Sequence, residues 1–195
     1  MPRPIVLASS SRYRQELLAR LQLPYLTDAP DVPEAPLLGE SLTATAERLS
    51  LLKADTVALR HKDAIVIGSD QVAELSGKAL GKPADHAGAV AQLLAMSGRT
   101  ARFHTGVAVV DGASGQRLSG CVSTEVNYRV LTAESIEAYL RRDTPYDCAG
   151  SAKIESLGIS LVTSVRSDDP TALIGLPLIL LTTLLARLGV DVPPR

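Results

Sequence analysis

The sequence predicts an α/β protein whose mixed, bent sheet forms two lobes around a central cleft. Three observations lead there. The apolar runs at residues 4–8 (PIVLA) and 64–67 (AIVI) are short and do not alternate, as expected of strands buried on both faces. Segments with helical spacing, at residues 15–21, 42–59 and 85–96, alternate with such runs through the first half of the chain. Two long strand-like stretches, 100–110 and 117–130, are then joined by Gly112-Ala113-Ser114-Gly115, which reads as a hairpin and adds an antiparallel portion to the sheet. With no internal repeat and no low-complexity linker, residues 1–195 read as a single domain.

The first strand runs into Ser9-Ser10-Ser11-Arg12-Tyr13-Arg14. The helix that follows carries Leu17, Leu18 and Leu21 on one side. The serines stand where an N-cap belongs, with hydroxyls able to accept from first-turn amides. A strand, a small-residue turn and a helix start also favour an anion, and Arg12 and Arg14 can fork onto phosphate oxygens. Residues 25–27 read as a strand. The loop 28–40 holds Pro30, Pro33 and Pro36 together with Asp31, Glu34 and Glu40; Asp31 and Glu40 read as solvated loop acids. In the helix at 42–59, Leu42, Ala46, Leu49, Leu52 and Val57 fall near helical spacing. Lys53 shares part of that face, so its ammonium either reaches to solvent or emerges into a cleft.

Residues 64–83 organise the rest. The strand is expected to stop at Gly68, leaving Asp70 at its end, where a desolvated carboxylate is hydrogen-bonded, metal-bound or catalytic. A second short strand, a turn through Ser76-Gly77 and the run Gly81-Lys82-Pro83 follow, bringing an acid, an amide (Gln71) and a lysine onto one hairpin-like unit. Thr132 caps a helix to about residue 142 with Ile136, Tyr139 and Leu140 facing inward. The small-residue turn Tyr146-Asp147-Cys148-Ala149-Gly150-Ser151 precedes Lys153 and Glu155, and residues 158–162 read as a strand. Pro177 reads as the first residue of a final helix whose apolarity implies burial against the core or a second subunit.

Composition narrows the function. Twenty basic and 21 acidic residues leave a net charge of −1, which argues against a nucleic-acid polymer as partner. Two cysteines without metal-type spacing indicate a reducing compartment, and three histidines without an HExxH pattern argue against zinc. The N-terminal apolar run is too short for a signal peptide, and the most apolar segment, broken by Gly175 and Pro177, is shorter than a membrane span. The expected protein is soluble and cytoplasmic, with no membrane partner.

Ready-made motifs fail. Gly77 to Gly81 has three intervening residues where a Walker A loop has four, and Pro83 follows the lysine where Ser or Thr belongs. There is no GxSxG and no CxxC. What remains is a set of carboxylates and cations suited to metal-assisted attack of water on a phosphoanhydride, with oxygen ligands that favour magnesium or manganese.

The stretches LASSSRYRQELL, RLSLLKA, IGSDQVA, LGKP, YLRRDTPYDCAGS and DDPTALIGLPL occur in an order that resembles the Maf-like nucleoside triphosphate pyrophosphatases over essentially the whole chain. The resemblance implies hydrolysis of a nucleoside triphosphate to monophosphate and pyrophosphate with a divalent metal. It implies Asp70 as proton acceptor, with Arg14, Glu34, Lys53 and Lys82 around the phosphates and metal, Glu34 and Asp70 as metal ligands, and Ser9 and Ser10 lining the phosphate turn. SDQVA with CAGSxxxE looks like the branch that acts on 7-methyl-GTP rather than dTTP or UTP, which makes Tyr13, Gln71 and Glu155 the specificity positions. A cationic methylated purine suits the Tyr13 face, Glu155 suits the guanine N1–H and N2 amine, and Gln71 suits O6. The chain departs from the branch at Pro33, where aspartate is common, and at Ala152, where a bulky aromatic often follows CAGS. The alternatives are the same chemistry on dTTP, UTP or another modified nucleotide, and a nucleotide-binding cell-division regulator. The apolar tail helix and the IGLP turn hint at a homodimer.

Overall fold

The computed structural model describes residues 3–193. Its strands are β1 (Ile5–Leu7), β2 (Tyr25–Thr27), β3 (Ile65–Leu75), β4 (Lys78–Leu80), β5 (Thr100–Asp111), β6 (Arg117–Tyr128) and β7 (Val162–Arg166). Its α-helices are α1 (Arg12–Ala19), α2 (Leu42–Ala58), α3 (His86–Met96), α4 (Ala133–Asp143) and α5 (Leu178–Arg187). The strand order is β2-β1-β3-β5-β6-β7, with β4 paired to β3. The sheet is mixed: β1 runs parallel to β2 and β3, whereas β4 is antiparallel to β3 and β7 to β6. The expected mixed α/β class is the observed one.

Contacts divide the chain into two compact units. The first comprises the chain up to Asp70, Thr105–Val122 and everything from Asp169 on; the second comprises Gln71–His104 and Ser123–Asp168.

The first unit shows why its strands read as unbroken apolar runs. Ile5, Leu7, Ile65, Ile67, Val107 and Val109 pack with Leu17 and Leu18 of α1 and with Leu181, Leu184 and Leu185 of α5. The alternate positions Val6, Ala8, Ala64, Val66, Ala108 and Val110 pack with Ala54 and Val57 of α2. Both faces of these strands are therefore covered, which removes the polar–apolar alternation of a half-solvated strand. The apolarity of α5 is taken up by this core, although Ile179 stays exposed.

In the second unit Ala73, Leu75, Phe103, Val126 and Tyr128 are buried strand residues. Leu93 and Met96 of α3, with Ile136, Tyr139 and Leu140 of α4, are buried as well, and the two helices touch. Asp85 caps α3 by accepting from the Gly88 amide at 2.8 Å. Thr132 and Ser135 form a reciprocal capping box on α4.

Several elements differ from the sequence reading. Strand β3 does not stop at Gly68 but continues through Asp70 to Leu75, so Asp70 lies in mid-strand. The continuation is possible because Gly68 carries no side chain: a Cβ there would lie 2.2 Å from the Ser50 carbonyl oxygen of α2. Helix α1 begins at Arg12, and its cap residue Ser11 makes no side-chain hydrogen bond. Residues Leu157–Leu161 form a 3-10 turn rather than a strand, and β7 starts one residue later at Val162. Gly158 lies so close to the Lys153 backbone that a Cβ would come within 2.4 Å of its carbonyl oxygen, so the missing side chain lets this segment fold back. Pro177 is the cap of α5, one residue before the helix.

Cys121 and Cys148 are free. Burial pushes the Cys121 thiol up to about 11 and the Cys148 thiol up to about 12, with Asp147 and Glu155 adding to the latter. Both are protonated at pH 8, so alkylation by iodoacetamide is expected to be slow in the native protein and fast in urea. Equal rates in the two states would contradict the burial. Among the described residues no helix is long and apolar enough to cross a membrane.

Candidate active site

The first unit holds seven of the expected residues: Ser9, Ser10, Tyr13, Arg14, Glu34, Lys53 and Asp70. Lys53 projects from α2 on the face that also buries Leu49, Ala54 and Val57, and the residue is only 6% exposed. Its Nζ lies 2.5 Å from Asp70 Oδ1 of β3 and 2.6 Å from Glu34 Oε1 of the proline-rich loop. The burial excludes the reading in which this lysine reaches to solvent, and the pairing supplies the counter-charge that a desolvated ammonium requires. The Lys53 and Asp70 side chains are nearly covered, whereas that of Glu34 is 61% exposed. The three groups form one buried cation, one buried acid and one acid open to solvent.

Arg14 stands on the first turn of α1. Its Nε donates to the Gly175 carbonyl at 3.0 Å, and its Nη1 lies 3.4 Å from Ser9 Oγ. Close packing of protein atoms around the guanidinium pulls its pKa below the ordinary arginine value, while the negative charges of Asp70 and Glu34 oppose the shift. Ser9 is buried at the end of β1 and accepts from the Ser11 amide at 3.1 Å. Its hydroxyl therefore supports the turn and does not cap the helix. Ser10 is exposed on the same turn. No side chain caps α1 and no acid stands in its first turn, so its N-terminus suits an incoming anion.

Two groups escaped the sequence reading. Ser69 Oγ lies 2.7 Å from the Gly106 carbonyl and 2.9 Å from that of Gly175, and the residue is completely buried. The Gly175 carbonyl thus joins the residue before Asp70 to Arg14. Its position follows from the DDPT segment: Asp169 Oδ2 accepts from Ile179 N at 2.7 Å, and Oδ1 accepts from Thr171 N at 2.9 Å. Gly175 itself has φ +123, where only glycine is relaxed. The glycine before Leu176-Pro177 was the available signal, but a backbone carbonyl leaves no residue-type trace. Glu40, expected to be a solvated acid, instead accepts from Arg48 Nε at 2.7 Å and from Thr45 Oγ1 at 3.0 Å, tying the proline-rich loop to α2.

Tyr13 follows Arg12, whose guanidinium carbon lies 4.9 Å from the Tyr13 ring centroid. The Arg12 guanidinium thus lies over the ring face in cation–π geometry.

The second unit holds Gln71, Lys82 and Glu155. Gln71 is half-buried and follows Asp70 on β3; adjacent strand residues point to opposite faces, so the acid and the amide diverge. Lys82 is exposed, between the Gly81 carbonyl, which accepts from Gln92 Nε2 at 3.0 Å, and buried Pro83. The segment leading to Glu155 is pinned by Lys153, whose Nζ donates to the carbonyls of Asp143 at 3.1 Å and Thr144 at 3.3 Å. Glu155 itself is exposed, but the protein atoms around its carboxyl strip away part of its hydration and raise its pKa above the usual value; Asp143 and Asp147 add to this and Lys153 opposes it.

Among the described residues no three His, Cys, Asp or Glu side chains form a metal-holding group. Glu34 and Asp70, both paired to the Lys53 ammonium, offer only oxygen donors, the ligand chemistry that a magnesium-type ion would take.

Fold and site together define an α/β protein with an acid–lysine centre beside an anion-receptive helix start. The profile of the family described as Maf-like protein matches residues 4–188, and the chain belongs to that family. Its relatives include a protein of Thiobacillus denitrificans named 7-methyl-GTP pyrophosphatase, 56% identical over 188 residues, covering 96% of this chain and 94% of the relative. A protein of the same name from Cupriavidus metallidurans is 52% identical, covering 95% and 93%. A HAM1 protein structure from Coxiella burnetii overlaps 65% of this chain and 73% of its own at TM-score 0.47 and 21% identity, too partial a likeness to bear on the argument.

Proposed function

We propose that the protein is a nucleoside triphosphate pyrophosphatase that hydrolyses 7-methyl-GTP to 7-methyl-GMP and pyrophosphate. The observation that carries the reading is the Glu34–Lys53–Asp70 centre, with Arg14 beside it, in a chain more than half identical to a relative of that name. The α1 turn with Ser9 and Ser10, together with Arg14 and Lys82, binds the triphosphate; guanidinium and ammonium groups offset its charge. Asp70 accepts the proton of the water that attacks the α-phosphorus, and the α–β anhydride bond breaks with pyrophosphate as leaving group. Lys53 fixes the rotamer of Asp70 through its 2.5 Å contact and keeps positive charge next to the reacting oxygens. Glu34 and Asp70 would hold a divalent ion, magnesium or manganese, which supplies neutralisation of the phosphate charge.

Specificity is assigned to Tyr13, Gln71 and Glu155. The Arg12 contact on the Tyr13 ring supports a cation-accepting face, and the raised pKa of Glu155 fits a carboxylate that gains from pairing with a positively charged purine. The enzyme is taken to be cytoplasmic, to act on free nucleotides and not on nucleic-acid polymers, and to have no membrane partner; light scattering reads whether it is a homodimer.

The deciding experiment is a panel of 7-methyl-GTP, GTP, dTTP and UTP with magnesium, separating pyrophosphate from orthophosphate. 7-Methyl-GTP is expected to give 7-methyl-GMP and pyrophosphate with the highest kcat/KM. Preferential turnover of dTTP or UTP keeps the chemistry and replaces the substrate; orthophosphate alone sinks the reading. Tyr13→Ala is expected to cost about tenfold in kcat/KM on 7-methyl-GTP and less on GTP. Equal losses on the two would remove the cation–π contribution.

A further inference from the structure

The second unit contains a polar bridge that the reading above leaves unused. Gln92 lies on α3 beside buried Leu93, one turn from buried Ala89 and Met96. Its Nε2 donates to the Gly81 carbonyl at 3.0 Å, and its Oε1 accepts from Ser151 Oγ at 2.6 Å. The amide orientation is fixed by chemistry, because a carbonyl only accepts and the Ser151 hydroxyl has a proton to give. The Gly150 amide approaches the same Gly81 carbonyl at 3.4 Å. One side chain on a packed helix therefore holds two turns: the one that presents Lys82, and the one that leads through buried Ser151, Ala152 and Lys153 to Glu155.

The two turns need such a support. Gly150 and Ser151 both have positive φ, at 73° and 56°, and serine is not relaxed there. The Ser151 hydroxyl bond to Gln92 helps to hold that conformation. Lys82 is exposed and its ammonium ends a flexible stem, so its placement depends on its backbone, fixed by the Gly81 carbonyl on one side and buried Pro83 on the other.

We infer that Gln92 is a positioning residue for nucleotide hydrolysis, one that sets the Lys82 turn against the Ser151–Glu155 segment so that the phosphate-binding lysine and the base-reading acid are presented in a fixed register. The inference rests on the pyrophosphatase reading of Lys82 and Glu155. It separates Gln92 from a residue that merely stabilises α3, because loss of the bridge leaves the Asp85 cap and the buried face of the helix intact.

The test is a double-mutant cycle on 7-methyl-GTP with wild type, Gln92→Ala, Lys82→Ala and the double variant. Gln92→Ala is expected to lower kcat/KM about tenfold while Tm stays within about 2 °C. In the Lys82→Ala background the same change is expected to cost clearly less than about tenfold, because one of the two groups it registers is gone and only the Glu155 side of the bridge is left to lose. Gln92→Glu adds a readout that a structural role would not move. Its carboxylate repels the Gly81 carbonyl, and its protonated form donates to it, so its activity relative to wild type is expected to rise as pH falls from about 8 to about 5. Losses that multiply independently, an unchanged kcat/KM in Gln92→Ala, or a flat pH ratio in Gln92→Glu overturn the inference and leave the pyrophosphatase reading standing. A wild type that releases no pyrophosphate from any triphosphate defeats both.

Discussion

Asp70→Asn is expected to lower kcat on 7-methyl-GTP about 1000-fold with little change in KM. Asparagine is nearly the same size and keeps an oxygen toward Lys53, so the site retains its shape. What disappears is the capacity to take a proton from water. Lys53 keeps Glu34 at 2.6 Å and does not become an unpaired buried charge, which distinguishes this substitution from one that unfolds the site. A thermal melt of the variant should therefore resemble wild type. Single-turnover measurements locate the loss: the chemical step slows while nucleotide binding persists. A kcat within tenfold of wild type would remove Asp70 as the proton acceptor. Loss of binding with kcat preserved would make it a binding residue instead.

The second large effect is on stability. Gly68→Ala places a methyl group 2.2 Å from the Ser50 carbonyl oxygen and 2.8 Å from the Ala54 amide nitrogen, both backbone atoms of α2. Neither can step aside as a flexible side chain would, so the helix must lift from the strand. The expected cost is about 3 kcal/mol, at the upper end for overpacking, read from urea melts at constant m-value. Gly106→Ala belongs to the same seam, with the Ala46 carbonyl oxygen 2.3 Å away. Gly81→Ala is the control: nothing lies within 4 Å of its added methyl and its φ is not positive, so its stability should stay close to wild type. Equal stabilities for Gly68→Ala and Gly81→Ala would refute the close approach of α2. Because Lys53 lies between Ser50 and Ala54, a lifted helix also draws Nζ from Asp70, and activity should fall along with stability.

The pattern of what was legible follows from the physics of each feature. Strands 4–8 and 64–67 were readable because burial on both faces writes a continuous apolar run. Helices α2, α3 and α4 were readable because a single packed face writes a helical period, and the Asp85 and Thr132 caps mark two starts. The end of the central strand was misplaced because glycine reads as a stop, whereas Gly68 marks a helix crossing tightly over a strand that continues. The 3-10 turn at Leu157–Leu161 reads as strand because its apolar residues lack a helical period over so few positions. At the site, charged residues announced themselves: Lys53 on an apolar face and Asp70 after a buried run are anomalies in a sequence. The Gly175 carbonyl and the Gln92 bridge were silent, since a backbone oxygen has no letter and a single glutamine on a helix looks like surface.

The sixth and seventh residues of β3 divide its work. Asp70 is the last residue of the first compact unit and Gln71 the first of the second. Consecutive strand residues present their side chains to opposite faces, so the acid and its neighbour answer to different surroundings. For inheritance this is a useful separation. Under the proposed assignment, drift at the amide and in the CAGS–Glu155 segment would retune which base is chosen while the acid, its lysine and its arginine stay under the constraint of a different unit. A lineage of such enzymes can thus diversify in diet without relearning how to break the bond, and directed evolution of base preference should begin at Gln71 rather than at the residue before it.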